Sequence, residues 1–65
     1  MRGHVVKWVA DKGFGFIKPE KADHDVFLHI SKVIEGVPRY GSDVEFAMGK
    51  DNTKRTFAID VKVTN

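Results

Sequence analysis

Lys12-Gly13-Phe14-Gly15-Phe16-Ile17-Lys18 is the stretch on which the reading of this chain turns. Two rings stand two residues apart, each preceded by a glycine. In an extended strand, alternate residues share a face. Phe14, Phe16 and Lys18 therefore project together, and Gly13, Gly15 and Ile17 point the other way. Phenylalanine is usually core, yet a strand thinned by two glycines packs poorly and marks a bend or a close backbone approach. If Ile17 faces the core, both rings lie outside on a thin, curved strand. An exposed aromatic pair flanked by Lys12 and Lys18 calls for a partner with flat faces, and nucleobases have them.

Working outward, Gly3–Val9 reads as a strand of β-forming residues. Alternation puts His4, Val6 and Trp8 on one side and Val5, Lys7 and Val9 on the other, and neither side is cleanly polar. Ala10–Lys12 makes a short turn into the glycine-thinned strand, which Pro19 ends. After a charged loop, Asp25–Ile30 forms a third strand. Its aliphatic face, Val26, Leu28 and Ile30, is the natural core side, so Phe27 and His29 point outward. Ser31–Ser42 is punctuated by Gly36, Pro38 and Gly41 and has room for no more than a helical turn near Ser31–Ile34. Asp43–Met48 is a fourth strand, with Val44, Phe46 and Met48 inward. A polar turn around Asp51-Asn52 leads to a fifth, Thr56–Thr64. There, alternation puts Phe57, Ile59, Val61 and Val63 in and Ala58, Asp60 and Lys62 out.

Five short strands and no long helix make an all-β unit. A sheet this small must curl to bury one face and hide its edges, which predicts a five-stranded barrel over residues 1–65 as one domain. The expected core is Val5 or Val6, Ile17, Val26, Leu28, Ile30, Val33, Val44, Phe46, Ile59, Val61 and Val63.

Composition narrows the function. The chain has 65 residues, a formal charge of +2 and no cysteine. A domain of that size buries only roughly 60% of the surface its unfolded chain exposes, so its stability is marginal. The lack of cysteine excludes disulfides and thiolate metal sites and fits a reducing cytoplasm. No apolar run is long enough for a membrane span. His4, His24 and His29 have no recognised ligand spacing, so neither metal nor cofactor is expected. No nucleophile motif, phosphate-cradling loop or placeable pair of carboxylates points to an enzyme or to a small-molecule substrate.

Three motifs in order carry a resemblance. Val6-Lys7-Trp8, then Lys12-Gly13-Phe14-Gly15-Phe16-Ile17 as a first ribonucleoprotein motif, then Val26-Phe27-Leu28-His29-Ile30 as a second, together resemble the bacterial cold-shock domain over nearly the whole chain. The RNA-recognition-motif domain carries its two motifs in the reverse order and needs two helices that this chain lacks. The resemblance implies a five-stranded antiparallel OB-fold barrel that binds single-stranded RNA and DNA on a platform made by the first three strands. Carried over by position, its nucleic-acid-binding residues are Lys7, Trp8, Lys12, Phe14, Phe16, Phe27, His29 and Arg55, and the resemblance turns Trp8 outward. Lys18, Ile30, Pro38 and Tyr40 are further candidates. Roles as an RNA chaperone and as a regulator of transcription or translation under stress follow from the same likeness.

The chain also departs from the family pattern. Val9-Ala10 follows Trp8 where the family has Phe-Asn, Ile30 follows His29 where it has Phe, and the middle loop is shorter, without its usual stacking phenylalanine. The expectation is the same binding mode with fewer stacked bases. The domain is expected as a monomer or, through its shortened loop, a strand-swapped dimer. The competing reading from another class is a protein-interaction barrel whose aromatic patch docks a peptide or subunit.

Overall fold

The computed structural model describes residues 1–50 and 56–64. Its strands are β1 (Arg2–Val9), β2 (Phe14–Pro19), β3 (Val26–His29), β4 (Val33–Glu35), β5 (Asp43–Lys50) and β6 (Thr56–Val63), with one 3₁₀ turn at Ile30–Lys32 between β3 and β4. The sheet order is β3-β2-β1-β5-β6-β4, and a further pairing of β3 with β6 closes it into a barrel. The five expected strands are the long ones. The closing β3–β6 pair and the β4–β6 pair run parallel, while the remaining pairs are antiparallel. The three-residue β4 lies within the stretch read as irregular; at that length the alternation of side chains gives no signal. Among the described residues no helix is long and apolar enough to cross a membrane.

The core is Val5, Ile17, Val26, Leu28, Val44, Phe46, Ala58 and Val61, with Trp8, Val33 and Val63 packed partly buried against it. Each full burial of a valine- to phenylalanine-sized side chain contributes about 1.5–3 kcal/mol. These few side chains must therefore offset most of the chain's ordering entropy.

Two bulges set which residues reach this core. Between Val5 and Lys7, β1 advances two residues while β2 advances one, so Val6 is the extra residue. Upstream, Val5 faces in opposite Ile17; downstream, Lys7 lies opposite Phe16 and Val9 opposite Phe14. Between Glu45 and Ala47, β6 advances three residues to β5's two, and Asp60 in that segment takes φ 51°. An inserted residue reverses the facing of everything on its far side. Ala58 and Val61, three apart, are both fully buried, whereas Phe57 and Ile59 are only half-buried. The expectation that Phe57 and Ile59 face in and Ala58 faces out is thus corrected: alternation holds from Val61 onward and is inverted before Asp60.

Two further core expectations change. Ile30 is 43% exposed because β3 ends at His29 and the chain turns into the 3₁₀ segment, where two-residue alternation no longer applies. Met48, near the end of β5, is 37% exposed.

Candidate nucleic-acid interface

The outward face of β1–β2–β3 carries two cross-strand rows. Lys7 pairs with Phe16, which pairs with Phe27; Val9 pairs with Phe14, which pairs with His29. Directly opposed residues project to the same side of a sheet, so four rings and one cation share one surface. Phe27 sits at its centre. Its ring centroid is 6.0 Å from Phe14, 5.8 Å from Phe16 in an edge-on arrangement, and 6.4 Å from His29. These spacings are those of favourable aromatic pairs. The rings hold one another in place while presenting faces and edges to solvent. Phe27 is the most open, at 37% exposed.

The strand is thin at Gly15 because its inner side is already occupied. A Cβ on Gly15 would collide with the Lys7 carbonyl oxygen and lie 2.8 Å from Cε3 of Trp8. Trp8 is paired with Gly15 and packs against the core. The indole thus covers the glycine from the inner side instead of standing in the row with Phe14 and Phe16. The Val6 bulge causes this: it turns Lys7 outward and Trp8 inward, the reverse of the outward placement expected for Trp8. Trp8 remains half-buried, at the end of β1 beside the platform.

His29 is fixed by the turn that follows it. Its Nδ1 accepts a hydrogen bond from the Ser31 backbone N–H at 3.1 Å, and Ser31 Oγ lies 2.9 Å from the same nitrogen. With Nδ1 accepting, the proton of the neutral ring belongs on Nε2. The residue therefore offers a ring face and an N–H donor.

The other candidates are scattered. Lys12 is exposed in the turn between β1 and β2, at the Phe14 end of the platform. Lys18 folds back, its Nζ donating to the Ala22 carbonyl at 2.8 Å. Ile30 stands over Gly13 just beyond His29. Pro38 is fully buried, so no base can stack on it, and its candidacy is withdrawn. Tyr40 is 77% exposed. The adjoining Gly41 N–H donates to the Val5 carbonyl, so Tyr40 stands along the edge of β1 away from β2. Arg55, like the expected turn at Asp51-Asn52, lies outside the described residues.

The family model described as the "Cold-shock" DNA-binding domain matches residues 1–64. The chain belongs to the cold-shock domain family. Among relatives, "Cold shock-like protein CspG" of Escherichia coli (strain K12) is 39% identical over 57 residues, covering 86% of this chain and 70% of that one. "Probable cold shock protein y4cH" of Sinorhizobium fredii is 39% identical over 60 residues, 86% of this chain and 87% of the relative. "Glycine-rich protein 2" of Nicotiana sylvestris is 43% identical over 61 residues, which cover 88% of this chain but only 28% of that protein. Likewise the chain spans 49% of the "Cold shock protein" of Arthrobacter globiformis. The solved structure "drosophila Unr CSD456" superposes with TM-score 0.82 over 98% of this chain and 26% of that one, at 23% identity, which bears on the fold alone.

The cold-shock domain is a nucleic-acid-binding, non-enzymatic family. In this cold-shock domain the aliphatic Val9 and Ile30 flank Phe14 and Gly13 at one end of the platform, so that end is apolar without being aromatic. One outward ring was missed by sequence reasoning. Phe57 is the β6 partner of Phe27. Its phase depends on the bulge at Asp60, for which the sequence carries no glycine as a marker.

Proposed function

We propose that this cold-shock domain binds single-stranded RNA and DNA by stacking bases on Phe14, Phe16, Phe27 and His29, with Lys7 and Lys12 holding phosphates. The observation that carries the reading is the outward cluster around Phe27, whose rings lie at 5.8–6.4 Å with Lys7 at the end of a row. A duplex hides its base faces and a single strand can splay them. Each stacked base contributes roughly 1–3 kcal/mol with little sequence preference. Because the platform favours open strands, binding shifts weak RNA hairpins toward unpaired forms by mass action. This is an RNA-chaperone activity without catalysis, suited to regulating transcription or translation in a cytoplasm under stress. Val9 and Ile30 in place of rings leave fewer stacked bases and a weaker complex.

Trp8, at the margin of the platform, reports binding. Titration with oligothymidine is expected to quench its fluorescence, and the affinity should fall with salt by a log–log slope of about −0.7 for each phosphate neutralised. Lys7→Gln is expected to flatten that slope by one such step. No response at high micromolar oligonucleotide would overturn the reading and favour a protein-docking barrel.

A further inference from the structure

We propose that the nucleic-acid surface continues past β3, across the barrel's closing seam, onto β6, where Phe57 and Lys32 take one further base and its phosphate. The inference rests on the single-strand reading of the platform and lengthens the path of the strand over it.

Phe57 is the parallel partner of Phe27 on β6, which extends the row Lys7–Phe16–Phe27 to a fourth strand. At about 4.8 Å per strand spacing, the row grows from roughly 10 to 14 Å. Ala58 is fully buried, so Phe57 beside it faces outward, and it is only half-covered. Among the described residues, what lies under it on β5 is small. Its strand partner on β5 is Gly49, where an added Cβ would come within 2.9 Å of the Phe57 ring and 3.1 Å of Ile59. Ile59, the next outward residue, faces Ala47. At the Phe57 end the outer surface of β5–β6 is thus a low floor of Gly49 and Ala47 from which Phe57 and Ile59 rise, with the charged pair Glu45 and Lys62 farther along. This end is apolar and continuous with the platform at Phe27.

Charge selects the occupant. Lys32 Nζ lies 5.8 Å from the Phe57 ring centroid, and no ion pair to a carboxylate holds it among the described residues. A cation beside an outward ring repeats the pairing of Lys7 with Phe16 at the other end of the row. An apolar face edged by a cation that no described carboxylate neutralises suits a base joined to a phosphate better than the apolar surface of a second protein. Lys32 resting over the ring contributes only modestly at an exposed site, so it can swing to a phosphate when a base arrives.

The test is an oligothymidine length series against wild type, Phe57→Leu and Lys32→Gln. Leucine keeps an apolar cover over Gly49 and Ile59 but removes the flat face. For the shortest oligonucleotides that bind, Phe57→Leu is expected to match wild type. For longer ones its affinity is expected to fall about five-fold or more, the effect of one lost stacked base, while Lys32→Gln lowers the salt slope by about 0.7. Phe57→Leu tracking wild type at every length would overturn the inference and leave the three-strand platform standing. Wild type binding no oligonucleotide of any length would bring down both. Self-association of wild type that Phe57→Leu abolishes would overturn it in favour of a second copy as the occupant. Should Phe57→Leu fail to fold, nuclear Overhauser contacts between the wild-type Phe57 ring and thymine protons decide, and their absence refutes the proposal.

Discussion

Phe27 and Leu28 are neighbours on β3 that face opposite ways, and alanine at each is expected to fail in opposite assays. Phe27 is 37% exposed and touches other rings; Leu28 is fully buried. For a chain of 65 residues, total stability is about 3–10 kcal/mol at the usual 0.05–0.15 per residue. A buried leucine cut to alanine costs about 2–5 kcal/mol, which consumes much of that margin. At roughly 4 °C or more of Tm per kcal/mol in a domain this small, Leu28→Ala should melt at least about 8 °C below wild type. Phe27→Ala gives up aromatic pair contacts worth about 0.5–1.5 kcal/mol each. These lie on the solvent side and the remaining rings can close up, so the expected loss is about 1–2 kcal/mol. Its binding, however, loses the central stacking surface. At about 1–3 kcal/mol per base, the Kd for single-stranded oligonucleotide should rise roughly 5- to 150-fold. Circular-dichroism melts and fluorescence titrations on the same samples, at a temperature where both variants are folded, check the pair. If Phe27→Ala melts as low as Leu28→Ala, or if folded Leu28→Ala loses as much affinity, the assignment of faces on β3 is wrong.

Two further outcomes probe the features that shape the platform. Gly15→Ala places a methyl group against the Lys7 carbonyl and the Trp8 ring. Neither backbone nor indole can yield freely, so the expected cost is about 1–3 kcal/mol of stability, with altered Trp8 fluorescence; a melt unchanged from wild type would refute the close approach of β1 and β2 there. Asp60 has a positive φ of 51°. Asp60→Val is expected to lose about 1–2 kcal/mol, because a β-branched residue resists that region, while Asp60→Gly keeps or slightly raises the Tm; equal melting of the two would remove the bulge from the account.

How much was legible beforehand depends on where the chain keeps its two-residue alternation. On β2 and β3 it does so without interruption, and Phe14, Phe16, Phe27 and His29 are outward as read, above Ile17, Val26 and Leu28. Val44 and Phe46 on β5 are inward for the same reason. The five longer strands, the barrel and the outward rings of β2 and β3 follow from such local patterns, while the three-strand platform was what the likeness of the ordered motifs implied, a likeness to the cold-shock domain family that the comparison establishes.

Tertiary structure decided the facing of β1 and β6. Each carries an inserted residue, Val6 and Asp60, that lets its strand bend round the barrel. Neither is a glycine, so nothing local announces the step. An inserted residue has no effect on the composition of a strand but reverses every side chain on one side of it. That reversal put Lys7 on the platform, tucked Trp8 under Gly15, and moved Phe57 from the inward face expected for it to the seam beside Phe27. Amino-acid order alone determined that Phe14–Lys18 runs as a thin strand with its rings outside. Closure of the barrel, a contact between residues 27 and 57 that no local pattern encodes, determined how far the surface around those rings extends.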